Sequence, residues 1–477
     1  MVKKYDLIVI GGGSTGLVAS KYANNLGART LLVEAERIGG DCTWTGCVPS
    51  KSLLYATSLL SSVSEANELG FIRSEYNVNF DEIKKYVNDI IEEIYEEEKP
   101  EVLRQEGIDV VIGEAHFKSP KEIEVNGEIF KAKKFVIATG ARSFIPFDFI
   151  EGLDKTPYFT SDNIFDIPEI PRHLIVLGAG PIGCELSQAF KRLGSEVTII
   201  DQMERILPRD DADASKILMQ KFKKVGINLV LGESVTKVNE KSSKEIEIIT
   251  ESGSKIEGSH LLIAVGRKAF FETLNLENAR IEVENGRIKV DSKLQTSVKH
   301  IFAAGDCVSD FQFTHIAGYQ GFIAVRNAIL PFKNNGTPKY VPWTTFTDPE
   351  VAFVGELNSI EGILKGEFEE IVCLGKNVDR AITDSAKSGF IKVYVNKKNK
   401  VIGATIVAPR AGEMIHEWII SLHNGISLAG ITGAIHVYPT YSMGNMQLTE
   451  EIINRRVFSG SLGNIIRGVS KIYRWFR

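Results

Sequence analysis

Cysteine is scarce in this sequence, with five residues in a chain of 477. So few cannot build the dense disulfide framework that holds small secreted domains together. Long apolar runs are missing as well: no stretch reaches the roughly 18 uninterrupted residues that a bilayer-spanning helix needs. Met1 to Ile10 carries a short apolar stretch, but Gly11 to Gly13 follow at once without a cleavage pattern. That start reads as a first strand, and the protein as cytoplasmic. A basic excess is also absent. The 56 basic and 61 acidic residues leave a net charge of -5, whereas nucleic-acid recognition usually leaves a basic footprint. Small molecules are therefore the expected partners, and a chain of this length is expected to fold as two or three domains.

What is present is a repeated glycine pattern. Tyr5 to Ile10 reads as an apolar strand, followed by Gly11, Gly13 and Gly16 in G-x-G-x-x-G spacing, a helix to about Leu26, and a strand Thr30 to Glu34. The unit recurs as His173 to Leu177, then Gly178, Gly180 and Gly183, a helix through Arg192, and a strand Val197 to Asp201. In each copy an acid, Glu34 or Asp201, stands 18 residues beyond the last glycine. Glycine lets a backbone approach a pyrophosphate, the helix start offers free amides, and the acid can accept ribose hydroxyls. Two copies point to two bound dinucleotides in two Rossmann-like domains. The acid at the second site would repel a 2'-phosphate, favouring NADH over NADPH, although Arg205 lies close by in sequence.

Further along, Val87 to Gln105 reads as a charged, solvated helix, and Phe135 to Gly140 as a strand ending in Ala-Thr-Gly. Leu261 to Gly266 repeats that style, a helix is expected from after Asp306 to about Asn327, and Gly425 to Gly433 reads as loop.

Cys42 and Cys47 are separated by four residues near an expected helix start, where a thiolate is stabilised. They read as a redox pair; a zinc half-site or two buried cysteines are the alternatives. No second Cys or His pair with zinc spacing accompanies them, so no metal site is assigned.

These motifs together resemble the flavoprotein disulfide reductases, the family of dihydrolipoamide dehydrogenase, glutathione reductase and mercuric reductase. The resemblance rests on Gly11 to Gly16, Cys42 to Lys51, Ala138 to Gly140, Gly178 to Glu185, Gly266 to Lys268, Ala303 to Asp306 and Phe346 to Gly355, in family order. It implies an α/β fold with two Rossmann-like dinucleotide-binding domains plus a C-terminal α+β dimerisation domain. The implied division is an FAD-binding domain in 1–150 and 271–338, an NAD(P)-binding domain in 151–270, an interface domain in 339–456, and a tail in 457–477. It implies FAD held by Gly11, Gly13, Gly16, Glu34, Thr139, Gly140 and Asp306, and NADH or NADPH held by Gly178, Gly180, Gly183, Asp201 and Gly266. Lys51 would stand near flavin N5, paired with Glu185. A surface lysine and a glutamate serving its own helix are the alternatives. Electrons would pass from nicotinamide to flavin, enter the disulfide at Cys47, and leave through Cys42 as the exposed interchange thiol.

The sequence departs from the family in one stretch. Dihydrolipoamide and glutathione reductases have a catalytic histidine followed by proline, threonine and an orienting glutamate. Here Tyr438 stands at the histidine and Met443 at the glutamate. A phenol with a pKa near 10 is a poor proton shuttle at neutral pH. His436, two residues upstream, could substitute in part or be structural. Mercuric reductases also carry tyrosine there, which makes a metal ion the leading acceptor, with dihydrolipoyl dehydrogenase as the alternative. Their extra cysteine pair is missing, since no cysteine follows Cys373. A homodimer is implied, with Tyr438 and His436 of one subunit facing the cysteines of the other. Cys184, Cys307 and Cys373 are expected to be packed thiols, and Trp44 either shapes the substrate face or packs.

No acidic residue occurs from Ile452 to Arg477, while Leu462, Ile465, Ile466, Val469, Ile472, Tyr473 and Phe476 follow helical spacing. Such a basic amphipathic tail can pack on protein or lie on an anionic membrane. The latter would make the protein a membrane-associated redox sensor.

Overall fold

A computed structural model describes residues 3–242, 245–396, 400–458 and 461–475. Two compact units account for them: Met1–Glu204 with Val225–Pro338, and Arg205–Lys224 with Lys339–Arg477.

In the first unit the strand Lys3–Ile10 is the centre of a seven-stranded sheet. It pairs in parallel with Thr30–Glu34 on one side and with Glu128–Ile137 on the other. The strand is apolar on both faces, as a parallel sheet covered on both sides requires. Ile8 and Ile10 enter one core cluster while Leu7 and Val9 enter a second, following the two-residue alternation of a strand. Glu128–Ile137 is long enough to serve two partners besides the central strand. Its start pairs antiparallel with Glu122–Val125, and its end pairs in parallel with Ile301–Ala303.

The second glycine unit builds the same arrangement again. Four parallel strands follow the order Ile227–Leu231, Glu196–Asp201, His173–Leu177, His260–Ile263. The first sheet orders Asp109–Ile112, Thr30–Glu34, Lys3–Ile10 and Glu128–Ile137 in the same way. In both, the strand order reverses beside the glycine turn, where open α/β sheets bind ligands beyond their strand ends.

The second unit is a five-stranded antiparallel sheet, Tyr340–Thr345, Glu350–Glu356, Val401–Ala408, Phe390–Val395 and Glu369–Leu374 in order. The helix Ala411–Asn424 buries Met414, Ile415 and Trp418 in its core. The helix Ala212–Lys224 also belongs to this unit, although the sequence division places it in 151–270. Charge explains the attachment: buried Lys392 lies 2.8 Å from Asp211, 2.9 Å from Asp213 and 3.1 Å from Glu370. Tyr394 adds a hydrogen bond to Asp211 at 2.8 Å.

Two local expectations are corrected. The helix expected over Val87 to Gln105 is two helices, Phe80–Tyr95 and Pro100–Gln105. Proline lacks an N–H and restricts the residue before it, so it opens the second helix. Gly425 to Gly433, expected as loop, contains the helix Leu428–Gly433, whose start is capped by Ser427 accepting from the Gly430 amide. The amphipathic tail contains the helix Ser461–Trp475; Phe476 and Arg477 lie outside the described residues.

Candidate functional site

The short helix Gly40–Trp44 carries Cys42, and Cys47 opens the long helix Cys47–Glu68. Gly46 allows the tight turn between them. A Cβ there would lie 2.6 Å from the Asp41 carbonyl oxygen and 3.3 Å from the Cys42 Cα. The two sulfurs are within hydrogen-bond reach of each other. Thr314, which opens the helix Thr314–Ile329, places its hydroxyl 3.4 Å from the Cys47 sulfur. In the polypeptide by itself Cys47 is exposed and Cys42 half-buried. Thr314 reaches both sulfurs, and Ser14 adds a hydrogen bond to Cys42.

The shared proton makes the two sulfurs unlike. The Cys47 thiol is held well below the ordinary range, chiefly by the hydrogen bond from Cys42, against the cost of burial, with further help from Thr314 and the Lys51 charge. The same bond, burial and the neighbouring charge push Cys42 up. A thiolate at Cys47 is the reactive form. Cys42→Ala is therefore expected to raise the titration midpoint of Cys47, followed by ultraviolet thiolate absorbance of the reduced protein, by more than Thr314→Val does. Equal midpoints in all three proteins would refute this assignment of the thiolate.

One turn into that long helix, the Lys51 ammonium pairs with Glu185 at 2.8 Å, with the glutamate side chain 6% exposed. The lysine side chain itself is 37% exposed. On the other side of Cys42, Asp41 pairs with Arg267, whose guanidinium also donates to the Ala141 carbonyl at 2.6 Å. Neither Thr314 nor the Arg267–Asp41 pair was expected as part of the site. The only sequence signals are a hydroxyl residue at a helix start and an acid beside a cysteine.

The two glycine turns have matching geometry. Gly11 and Gly178 have φ of 107° and 106°. A side chain at Gly16 would strike the Gly11 carbonyl, and one at Gly183 would strike the Gly178 carbonyl. Glu34 accepts from the Gly12 amide at 2.6 Å and the Glu36 amide at 2.9 Å. Asp201 accepts from the Ala179 amide at 2.6 Å and the Met203 amide at 2.8 Å. Each carboxylate is thus clamped beside its own glycine turn, with further lone pairs left for ligand hydroxyls. Burial raises Glu34 despite its two amides.

The residues present suit the two nucleotides that the motifs imply. Added Cβ atoms at Gly140, Gly180 and Gly266 would meet nothing within 4 Å, leaving room for a ligand against the backbone. Gly13 lies close to Gly40, whose Cα would be 3.6 Å from its added Cβ. Burial pushes Asp306 up to about 6, with Arg267 opposing. Among the described residues its carboxylate is given no hydrogen bond, so a ligand hydroxyl there would relieve a desolvated acid. The Thr139 hydroxyl is committed to the Phe270 carbonyl, which leaves its backbone as the part able to meet a ligand.

The histidine–tyrosine stretch lies in the second unit. His436 is tied through both ring nitrogens: Nδ1 to the Ala434 carbonyl at 2.9 Å and Nε2 to Glu417 at 2.8 Å. Each ring nitrogen thus has an acceptor within hydrogen-bond distance, an arrangement that favours the protonated form. Burial acts to lower its pKa, but the Glu417 hydrogen bond, the Ala434 carbonyl and the Glu417 charge together raise it. Glu417 in turn binds the Asn445 side chain at 2.7 Å, and Asn445 accepts from Trp418 at 2.9 Å. His436 is thereby held in its loop by Glu417 and the Ala434 carbonyl. Tyr438 is exposed and donates to Asp379 at 2.9 Å, a bond that raises its pKa further.

Trp44 donates to the Ile38 carbonyl at 2.7 Å, carries Arg37 against its ring at 3.9 Å and meets the Tyr95 ring edge-on at 4.8 Å, so it packs against the helix Phe80–Tyr95. Cys184, Cys307 and Cys373 are buried, and burial raises Cys307 to about 12 and Cys373 to about 11.

The pyridine nucleotide-disulphide oxidoreductase family matches residues 5–321, and the dimerisation domain of that name matches 341–447. A mercuric reductase of Bacillus cereus is 35% identical over 445 residues, covering 92% of this chain and 70% of that protein. A dihydrolipoyl dehydrogenase of Thermus scotoductus is 32% identical over 460 residues, covering 94% of this chain and 98% of that protein. Among solved structures, the Cu(II) complex of the HOCl-induced flavoprotein disulfide reductase RclA from Escherichia coli superposes with a TM-score of 0.84 at 25% identity. That match covers 94% of this chain and 100% of the other.

Proposed function

Because the chain belongs to the pyridine nucleotide-disulphide oxidoreductase family, an FAD-dependent family of oxidoreductases using NAD(P)H, we propose that it oxidises NADH and reduces a thiophilic metal ion at Cys42 and Cys47. Bound FAD supplies the two-electron relay between nicotinamide and sulfur. Gly11, Gly13, Gly16, Glu34, Gly140 and Asp306, with the Thr139 backbone, would hold it. Gly178, Gly180, Gly183, Asp201 and Gly266 would hold the nicotinamide nucleotide.

On the protein side, the disulfide accepts the two electrons and the one proton that NADH oxidation delivers, and becomes the Cys42 thiol and the Cys47 thiolate. It re-forms as the acceptor takes those electrons and the Cys42 proton leaves. One mercuric ion reduced to the metal, or two cupric ions reduced to cuprous, balances the pair. Soft thiolates are the ligands such ions prefer.

The observation that carries the choice of acceptor is the shortage of an acid. Reducing a disulfide substrate requires a proton for its departing thiolate. Tyr438, hydrogen-bonded to Asp379, has its pKa raised above the ordinary phenol value, and His436 is turned toward Glu417 and the Ala434 carbonyl rather than toward solvent. A metal ion needs no such proton. In this reading the protein is a homodimer, and Tyr438 of one subunit stands at the cysteines of the other as a neutral ligand. The relatives include both chemistries, mercuric reductase and dihydrolipoyl dehydrogenase. Steady-state NADH oxidation with cupric ion, mercuric ion, a quinone, glutathione disulfide and lipoamide separates them. Lipoamide should turn over at least about a hundredfold more slowly than the best metal ion, the usual scale of a lost general acid. Lipoamide turnover equal to the metal's would overturn this reading in favour of dihydrolipoyl dehydrogenase.

The nucleotide preference has its own test. Asp201, clamped by the Ala179 and Met203 amides, is the acid this reading sets against a ribose 2'-group, and Arg205 is occupied by the Asp210 and Pro208 carbonyls and the Ser215 hydroxyl at 2.8, 2.9 and 2.8 Å. A like-charge contact with the phosphate of NADPH then goes uncompensated. The kcat/KM for NADH should exceed that for NADPH by at least about tenfold, and Asp201→Asn should narrow the gap. An unchanged ratio in the variant would remove Asp201 from the discrimination.

A further inference from the structure

The helix Ser461–Trp475 lies outside the matched dimerisation domain, which ends at 447. Ile465, Val469 and Ile472, spaced four and three residues apart, form one stripe and are 61, 60 and 61% exposed. Ile466 beside them is 38% exposed. The contrast with Ala411–Asn424 is direct, since that amphipathic helix buries Met414, Ile415 and Trp418. Arg467, Lys471 and Arg474 occupy the opposite face by helical spacing.

Charge indicates what would cover the stripe. Residues 452–477 contain six of the chain's 56 basic residues and none of its 61 acidic ones, leaving 50 basic against 61 acidic elsewhere. A negatively charged surface repels the bulk of such a protein and attracts this segment. Among the described residues no helix is long and apolar enough to cross a membrane. A short stripe of aliphatic side chains backed by basic residues instead suits a helix lying in the plane of the headgroups.

We propose that the helix Ser461–Trp475 is an in-plane docking helix for an anionic lipid surface. The apolar stripe enters the acyl boundary while Lys471 and Arg474 meet lipid phosphates. The full chain is floated with phosphatidylcholine vesicles, with and without a minority of phosphatidylglycerol. Binding is expected only when phosphatidylglycerol is present. Lys471→Gln with Arg474→Gln should weaken it roughly thirtyfold, at about fivefold per basic residue near a charged surface. Val469→Glu should abolish flotation with NADH oxidation unchanged, showing that the fold is intact. Failure to float with phosphatidylglycerol, or equal flotation with both vesicle types, overturns the proposal. So does a Val469→Glu protein that still floats but scatters light as a smaller assembly, which would assign the stripe to a contact between copies.

Discussion

Cys47→Ser should lower metal-ion-dependent NADH oxidation by at least about a thousandfold, the scale seen when one member of a catalytic unit is removed. Serine keeps the size and the hydrogen bond but cannot form the disulfide. Its hydroxyl also cannot ionise near neutral pH as the Cys47 thiol does. The reduced variant should lack the thiolate-to-flavin charge-transfer band of the parent protein, while Cys42→Ser should keep a sulfur in place to give it. A band that survives Cys47→Ser and vanishes in Cys42→Ser would exchange the roles of the two sulfurs. Parent-level turnover in both variants would remove the pair from the reaction altogether.

Lys51→Met should reduce both stability and turnover, for two separable reasons. Glu185 is nearly buried and loses the cation 2.8 Å away. Breaking a buried pair from one side costs about 3–5 kcal/mol, and the 37% exposure of the lysine side chain places the expected loss nearer about 2 kcal/mol. Pairing it with Glu185→Gln removes the stranded charge, so the double variant should recover most of the stability in a urea titration. It should not recover turnover, because an anionic reduced flavin would still lack its cation. A double variant no more stable than Lys51→Met would show that the pair is not the source of the loss.

The parts of the site legible in the sequence are those imposed by local sterics. Gly16 and Gly183 are required because any side chain would strike a carbonyl five residues earlier in the same turn, so spacing alone exposes both cradles. The Cys42–Cys47 turn is local in the same sense. Hidden were the pairings between distant segments: Thr314 with Cys47 across 267 positions, and Arg267 with Asp41 across 226. Periodicity reports which face of an element is buried and carries no register between elements. His436 shows the same limit. Its place two residues before Tyr438 put both on one side of an extended stretch, but its partner Glu417 comes from the helix Ala411–Asn424.

The polypeptide crosses between the two compact units three times, after Glu204, after Lys224 and after Pro338. The excursion from Arg205 to Lys224 carries Leu218 and Phe222, both buried, on a helix held by the Lys392 charges. A protease cutting only near Pro338 would therefore leave the larger fragment with that helix still attached, torn from its anchoring cation and greasy on one side. Such a fragment would tend to clump, and the nucleotide-binding half could be excised intact only by grafting a short bridge across the excursion.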